Sequence, residues 1–277
     1  MKFSPGYSSP PAACSDRAHA TLLLAAFATG YWLVVLFLDR GATPGQQLVL
    51  GATTWAFLIV ALRLSPPAER TQVLSMIFVA SCCEVIGSLI WGAYQYRLEN
   101  IPLYVPPGHG LFFLMAIRIS ELPLIERRGQ LLRGMVLLGS LVLLVRGMVL
   151  LPSRDMLGLA TWLVLLIFLC AGRRPTFYAV SYTLTMALEF YGTSQGNWAW
   201  APILPYVGIG VANPPFGIGG AYCTMDAVAR RLAPRAERAL HAFQQEMKAM
   251  RPQPSSRPDN SERPTLRTRH LEGRRLR

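Results

Sequence analysis

The chain has 277 residues, of which 52% are apolar and only 15% are charged, and its mean hydropathy is +0.32. This composition excludes an ordinary soluble domain and indicates an integral membrane protein. The formal charge of +12 comes from Lys and Arg outside the long apolar runs, so it indicates membrane orientation, and we expect no nucleic-acid partner.

Eight apolar segments approach the roughly 20 residues that a helix needs to cross a bilayer. They lie near 20–38, 46–63, 72–92, 104–120, 131–151, 155–172, 175–192 and 205–225. The fourth and eighth contain the proline pairs Pro106-Pro107 and Pro214-Pro215, which favour a kinked or re-entrant segment over a regular helix. The predicted fold is an all-α, polytopic membrane helix bundle with about eight transmembrane segments.

The positions of Lys and Arg predict how the bundle is oriented. Residues 1–19 lack the apolar core of a signal peptide, so we expect a cytoplasmic N-terminal segment followed by a retained membrane helix. The loops on the opposite side then carry only Arg40, Arg97 and Arg154. This asymmetry follows the positive-inside rule. We therefore expect both termini in the cytoplasm and the chain in a cell membrane, of the bacterial inner-membrane type.

Two stretches of the chain resemble each other. Glu84 and Gly87 are matched 105 residues later by Glu189 and Gly192, and a proline pair follows in both cases. We therefore predict two membrane repeats of four segments each, over 20–120 and 131–225. An even number of segments makes such repeats parallel, with a site expected where they meet.

The composition changes after residue 225. Residues 226–250 have apolar side chains at helical spacing and predict an amphipathic helix on the cytoplasmic surface. Residues 251–277 are rich in Pro, Ser and Arg and predict a disordered basic tail. Such a tail is attracted to anionic lipid, and a docking tail for another macromolecule is the alternative.

Glu84 and Glu189 are carboxyl groups inside apolar segments. A carboxyl group in that position is costly and marks a candidate functional site. Each lies on a helical stripe of small or hydroxyl-bearing side chains. Removal from water favours the protonated form of a carboxyl group, so the pair is suited to divide acid and base roles. The alternative is structural, with each carboxyl group only fixing helix packing through hydrogen bonds.

His109 is the one histidine inside a predicted segment. It is placed either to relay a proton beside Glu84 or to stabilise the break at the neighbouring prolines. A single histidine excludes a multi-histidine metal centre, and we expect neither a metal nor a cofactor. Arg146 lies inside the fifth segment and either reaches the membrane interface or pairs with a glutamate or an anionic head group.

Aromatic side chains gather at the ends of the segments that carry the glutamates. They are Trp91, Tyr94, Tyr96, Trp198 and Trp200. One interpretation is an interfacial aromatic belt. The other is a pocket for a long apolar substrate, in which the ring faces stabilise a carbocation. Asn213 begins the second proline break, whose backbone carbonyls we expect to line a cavity.

One stretch resembles the carotenoid-biosynthesis membrane hydratases. The matching residues, in order, are Glu84, Gly87, Gly92, Tyr94, Tyr96, Val105 and Pro106. The likeness covers about residues 84–110, and the Pro-Phe-Gly that usually precedes the tyrosine pair is missing there. The resemblance implies acid-catalysed chemistry on an isoprenoid double bond, with Glu84 as the matching carboxyl group.

These patterns leave three hypotheses open. The first is a multi-pass membrane enzyme that hydrates or cyclises an isoprenoid or other lipid, with Glu84, Glu189 and His109 as catalytic residues. In that case, the substrate-binding residues are Arg146, Asn213 and the five aromatic residues named above. The second is a proton- or cation-coupled transporter, and the third is a structural membrane subunit. The expected partner is a membrane lipid or another apolar small molecule.

Overall fold

The computed structural model describes residues 11–249, which form nine α-helices, two π-helical turns and two short strands. The helices are α1 (Pro11–Asp39), α2 (Pro44–Arg63), α3 (Pro67–Glu84), α4 (Val105–Ser120), α5 (Pro123–Arg127), α6 (Gly129–Val145), α7 (Met156–Ala171), α8 (Pro175–Gln195) and α9 (Gly219–Ala249). π-Helical turns extend α3 over Val85–Ile90 and α6 over Arg146–Leu150, and the strands are β1 (Tyr94–Tyr96) and β2 (Trp198–Trp200).

Four of the helical stretches are long and apolar enough to cross a membrane. They are Ala18–Asp39, Pro44–Arg63, Pro67–Ile90 and Gly129–Leu150, and Met156–Ala171 is a shorter apolar helix. Many large apolar side chains on these helices are exposed, including Leu23, Phe27, Leu138 and Val149. A water-soluble surface does not carry so much exposed apolar area. The chain is therefore a helical, multi-pass membrane protein.

Prolines begin several of the helices. Pro44, Pro67, Pro106, Pro123 and Pro175 occupy the first turn of α2, α3, α4, α5 and α8. Proline suits this turn because its fixed φ is helical and its missing N–H has no partner there anyway. The break expected in the fourth segment is therefore wrong, since its prolines begin a regular helix.

Helix α4 lies at the centre of the bundle. It packs against α1, α2, α3 and α8, and twelve of its sixteen residues are buried. Leu111, Phe113 and Leu114 are almost completely covered and belong to the main apolar core. The central position of α4 brings His109 between the two stretches that carry the glutamates.

The eighth predicted segment, near 205–225, is helical only from Gly219 onward, because residues 201–218 are irregular. The buried Asp155 carboxylate holds this irregular stretch in place. Its Oδ1 accepts hydrogen bonds from the backbone N–H groups of Gly158 and Ala212, at 2.9 and 3.1 Å, and its Oδ2 accepts from Phe216 N at 2.9 Å. A buried carboxylate thus satisfies backbone groups that a helix would have paired internally.

Strands β1 and β2 pair although they are far apart in sequence. They form an antiparallel, two-stranded sheet in which Tyr94 lies opposite Trp200 and Tyr96 lies opposite Trp198. Each strand follows one of the glutamate-bearing helices, so the sheet joins the two parts of the chain that the sequence predicts as repeats.

The chain divides into two compact units, and the fold and site described here belong to the first, Met1–Glu237. The second unit begins at Arg238, and its described residues, 238–249, are the last turns of α9. The predicted amphipathic helix, 226–250, falls almost entirely within α9. The predicted basic tail, 251–277, lies outside the described residues, as do residues 1–10 of the predicted N-terminal segment.

Candidate functional site

The Glu84 carboxylate is held by three side chains. Its Oε2 accepts hydrogen bonds from the Tyr94 and Tyr96 hydroxyls, at 2.7 and 2.8 Å. Its Oε1 lies 2.9 Å from Nε2 of His109, which α4 supplies. Glu84 is 7% exposed, so these partners replace water around the carboxyl group.

The Glu189 carboxyl group has a different set of partners. Its Oε2 accepts hydrogen bonds from the indole N–H groups of Trp198 and Trp200, at 3.0 and 3.1 Å. Its Oε1 accepts no hydrogen bond from any residue within 11–249. Glu189 is 4% exposed and is therefore as deeply buried as Glu84.

The alternation of side chains along a strand explains how each strand supplies two donors. Residues two apart on a strand point to the same face. Tyr94 and Tyr96 therefore reach Glu84 together, and Trp198 and Trp200 reach Glu189 together. The rings also touch across the sheet, with centroids 4.7 Å apart for Tyr94 and Trp200 and 6.1 Å apart for Tyr96 and Trp198.

The glycine one turn after each glutamate makes room for these aromatic rings. A Cβ on Gly87 would lie 3.0 Å from the Tyr94 ring, and a Cβ on Gly192 would lie only 1.9 Å from the Trp198 ring. The Glu-x-x-Gly spacing therefore leaves room for an aromatic ring to pack against the helix.

Burial affects the titration of the two tyrosines, which lie outside the membrane-spanning segments. Burial raises the pKa of Tyr94, and the neighbouring Glu84 carboxyl raises it further. The pKa of Tyr96 is raised well above its ordinary value for the same two reasons. Both phenols therefore stay protonated and act as hydrogen-bond donors at neutral pH.

His109 is held by a ring contact as well as by Glu84. The Tyr222 ring of α9 lies at 33° to the imidazole, with the ring centroids 5.6 Å apart. Tyr222 was not among the residues predicted from the sequence. Its position as an aromatic residue in the eighth predicted segment, after the second Pro-Pro pair, was the signal that could have found it.

Both glutamates line one cavity of about 460 Å³. Its walls are largely aromatic and aliphatic, and they include His109, Tyr222, Trp91, Phe112, Leu157 and Leu204. All five predicted aromatic residues line it. A cavity of this size accommodates a small organic ligand, because typical ligand sites measure ~300–1,000 Å³.

Two predicted site residues are not part of the cavity wall. Arg146 is exposed, does not line the cavity, and forms no ion pair or hydrogen bond with residues 11–249. Asn213 is also exposed, and its Oδ1 accepts a hydrogen bond of 3.2 Å from Trp200 N. Asn213 thus supports strand β2, which in turn supports Glu189.

Another buried carboxylate, Asp39, lies at the end of α1. It accepts hydrogen bonds from the side chains of Gln47, Tyr104 and Asn197, each at 2.9 Å. Asp39 was not predicted to have a role, although it ends the first apolar run. Its bonds to Tyr104 and Asn197 fix the start of α4 and the residue before β2. Asp39 thereby helps to position His109 on α4 and Trp198 on β2.

The described residues therefore offer proton-transfer groups in a largely apolar cavity. No group of three His, Cys, Asp or Glu side chains within 11–249 is arranged to hold a metal ion. No protein-family model, curated protein or solved structure matches the chain.

Proposed function

We propose that this chain is a membrane enzyme that uses acid–base chemistry to hydrate or cyclise an isoprenoid or other lipid. The observation that carries the proposal is the cavity of about 460 Å³ with two buried glutamates, one histidine and a wall of aromatic and aliphatic side chains. The resemblance of residues 84–110 to carotenoid-biosynthesis membrane hydratases supports the same class of substrate. The chemistry requires only a proton donor, a proton acceptor and a dry cavity.

Glu189 is the proposed proton donor. An indole N–H can only donate a hydrogen bond, so Oε2 must accept from both Trp198 and Trp200. A proton on this carboxyl group therefore resides on Oε1, which has no hydrogen-bond partner among residues 11–249. The geometry thus leaves the acidic proton free to meet a ligand in the cavity.

His109, oriented by Glu84, is the proposed base. The Glu84 carboxylate accepts from two phenols and faces His109 Nε2 at 2.9 Å. This arrangement favours the tautomer with its proton on Nε2. The other ring nitrogen, Nδ1, has no hydrogen-bond partner among residues 11–249 and keeps a lone pair for a proton.

Glu189 and His109 together supply and accept every proton that the hydration step requires. The proton on Glu189 Oε1 adds to one carbon of the double bond, and the other carbon becomes a carbocation. The oxygen of a water molecule forms a bond to that carbon, and His109 Nδ1 takes the proton that the water loses. Return of this proton to Glu189 restores the site. In cyclisation a second double bond attacks the cation instead of water, and the new ring cation that this forms loses a proton to His109 Nδ1.

The aromatic walls suit the cationic intermediate. Ring faces attract a cation electrostatically, by about 2 kcal/mol or more where water is excluded. Trp91, Tyr94 and Trp200 line the cavity beside the two carboxyl groups. The sheet thus supplies both the hydrogen bonds to the glutamates and ring surfaces near the reacting carbons.

We also propose that the chain consists of two parallel repeats of four segments, the last entering through the irregular stretch 201–218. Equal spacing of the Glu and Gly pairs supports this, and so does the antiparallel pairing of β1 with β2. The charge pattern supports cytoplasmic termini, with the basic tail on anionic lipid. Reporter fusions after residues 40, 97 and 154 should all report the non-cytoplasmic side, and a cytoplasmic signal at any of them would refute the orientation.

The chemistry is tested by Glu84→Gln and Glu189→Gln in a host that makes isoprenoids. Each variant should insert normally but abolish the lipid product seen with the wild-type chain. Glu121→Gln, on an exposed residue at the end of α4, is the matched control and should keep the product. Unchanged lipid profiles with both cavity variants would refute the enzyme. Solute uptake that an uncoupler and either variant abolish would assign a transporter instead.

A further inference from the structure

We propose that Tyr222, His109 and Glu189 form a subsite for one hydroxyl oxygen within the otherwise apolar cavity. The inference rests on the proposed function, because the oxygen belongs to water before addition and to the product alcohol after it. It predicts that the cavity prefers an isoprenoid alcohol to the corresponding hydrocarbon.

Tyr222 is held firmly but its hydroxyl is unused. Its ring contacts His109 at 5.6 Å and Phe112 at 5.8 Å between centroids, so two rings of α4 fix its plane. The hydroxyl forms no hydrogen bond with residues 11–249, although the side chain is only partly exposed and lines the cavity. Other phenols at this site, those of Tyr94 and Tyr96, are fully engaged with Glu84.

The three members of the subsite line the same cavity, and the Tyr222 and His109 rings have centroids 5.6 Å apart. The oxygens of Glu84 are already occupied by its three partners. The unused polar atoms are therefore Tyr222 Oη, Glu189 Oε1 and His109 Nδ1, and they come from three different helices.

The remaining hydroxyl groups on the cavity wall are satisfied within the protein. Thr161 and Thr224 donate to backbone carbonyls of their own helices, and Tyr104 donates to Asp39. Polar atoms left without partners in an apolar cavity cost free energy. A ligand that supplies a partner for the three unused atoms removes that cost, and a hydrocarbon does not.

A hydroxyl group complements the subsite because it both accepts and donates hydrogen bonds. It can accept from the Tyr222 hydroxyl and donate to His109 Nδ1. Water in this position is the one that His109 deprotonates in the proposed reaction. The same contacts hold the hydroxyl of the product, which explains why one subsite serves both species.

The experiment compares the binding of farnesol and farnesene to the full chain in lipid nanodiscs. Binding is followed by quenching of tryptophan fluorescence, since Trp198 and Trp200 line the cavity. The wild-type chain should bind farnesol about tenfold more tightly, as expected from one or two hydrogen bonds of ~1 kcal/mol each. Tyr222→Phe should reduce the preference to about twofold or less, within the same range of hydrogen-bond strengths.

Tyr191→Phe is the matched control. It removes a phenol that donates to Leu33 O at 3.1 Å and does not line the cavity, so it should keep the wild-type preference. Equal affinities for the two probes in the wild-type chain, or an unchanged preference in a folded Tyr222→Phe variant, would overturn the subsite. The two proposals fail separately. Unchanged lipid profiles in Glu84→Gln and Glu189→Gln would refute the acid–base chemistry. A preference of the wild-type chain for farnesol over farnesene would still support the subsite.

Discussion

The surroundings of Glu84 and Glu189 are similar in architecture and different in chemistry. Each glutamate is followed one turn later by a glycine and then by a strand that sends two aromatic side chains back to its carboxyl group. The Glu84 carboxyl receives two phenol O–H groups and a histidine. The Glu189 carboxyl receives two indole N–H groups and no histidine.

The partners of Glu84 can exchange protons with it, whereas the partners of Glu189 cannot. Phenol and imidazole groups can both give and take a hydrogen bond, whereas an indole N–H only gives one. Gly217 lies two residues after the second proline pair, as His109 does after the first, so this half has no imidazole at the matching position. The groups around Glu84 can therefore transfer protons, and the groups around Glu189 leave one carboxyl oxygen to carry a single proton.

The largest expected loss of stability comes from adding a methyl group behind the aromatic pair Trp198 and Trp200. Gly192→Ala places a Cβ 1.9 Å from the Trp198 ring and should push that indole off Glu189. Overpacking of this kind costs about 3 kcal/mol. The thermal unfolding midpoint in detergent should fall by several degrees.

Gly87→Ala is the matched change in the other half. Its Cβ would lie 3.0 Å from Tyr94, a contact that a small shift of the ring relieves. The helix also gains up to about 1 kcal/mol when alanine replaces glycine. The unfolding midpoint should therefore fall less than for Gly192→Ala. Equal falls in the two variants would contradict the tighter packing around Gly192.

An intermediate loss of stability is expected from removing both phenol groups that donate hydrogen bonds to Glu84. Tyr94→Phe together with Tyr96→Phe leaves Glu84 with His109 alone and should cost about 2 kcal/mol, because a hydrogen bond contributes a net ~1 kcal/mol. The conversion rate should fall as well, since His109 loses a properly held partner. Unfolding in detergent and lipid turnover measure the two effects.

The corresponding double change, Trp198→Phe with Trp200→Phe, tests the other half. It keeps ring faces in the cavity but removes every donor to Glu189 within residues 11–249. Turnover should fall, because the two indoles hold the Glu189 carboxyl group in position. An unchanged turnover would show that the indoles do not fix the position of the acid.

A small effect is expected at Asn213. Its Oδ1 accepts a hydrogen bond of 3.2 Å from Trp200 N at an exposed position. Asn213→Ala should cost about 0.5–1 kcal/mol, the net value of one such bond. Farnesol affinity should stay unchanged, whereas a tenfold loss would make Asn213 a ligand contact.

The smallest effect is expected at Arg146, an exposed residue in the π-helical turn of α6. Arg146→Gln should change neither turnover nor farnesol affinity, because the side chain does not line the cavity. Thermal unfolding should also stay within experimental error. Loss of turnover would revive the hypothesis that Arg146 binds an anionic head group.

The helices and the pair of glutamates could be predicted from periodicity and from the cost of burying charge in apolar segments. The hydrogen bonds between each glutamate and its own strand could not, because a three-residue strand carries no pattern of its own. The proline pair at 106–107 was misleading, since proline both ends helices and begins them. Asp39 and Asp155 were missed because their partners come from distant segments, including backbone groups.

The pairing of β1 with β2 also bears on the order in which the protein folds. β1 leaves the ribosome long before β2, and in the meantime Glu84 can already meet Tyr94, Tyr96 and His109, all of which precede residue 110. The ends of a long loop must close before the strands can pair. The cavity is therefore completed late in synthesis, only after β2 and the first turns of α9 have been made.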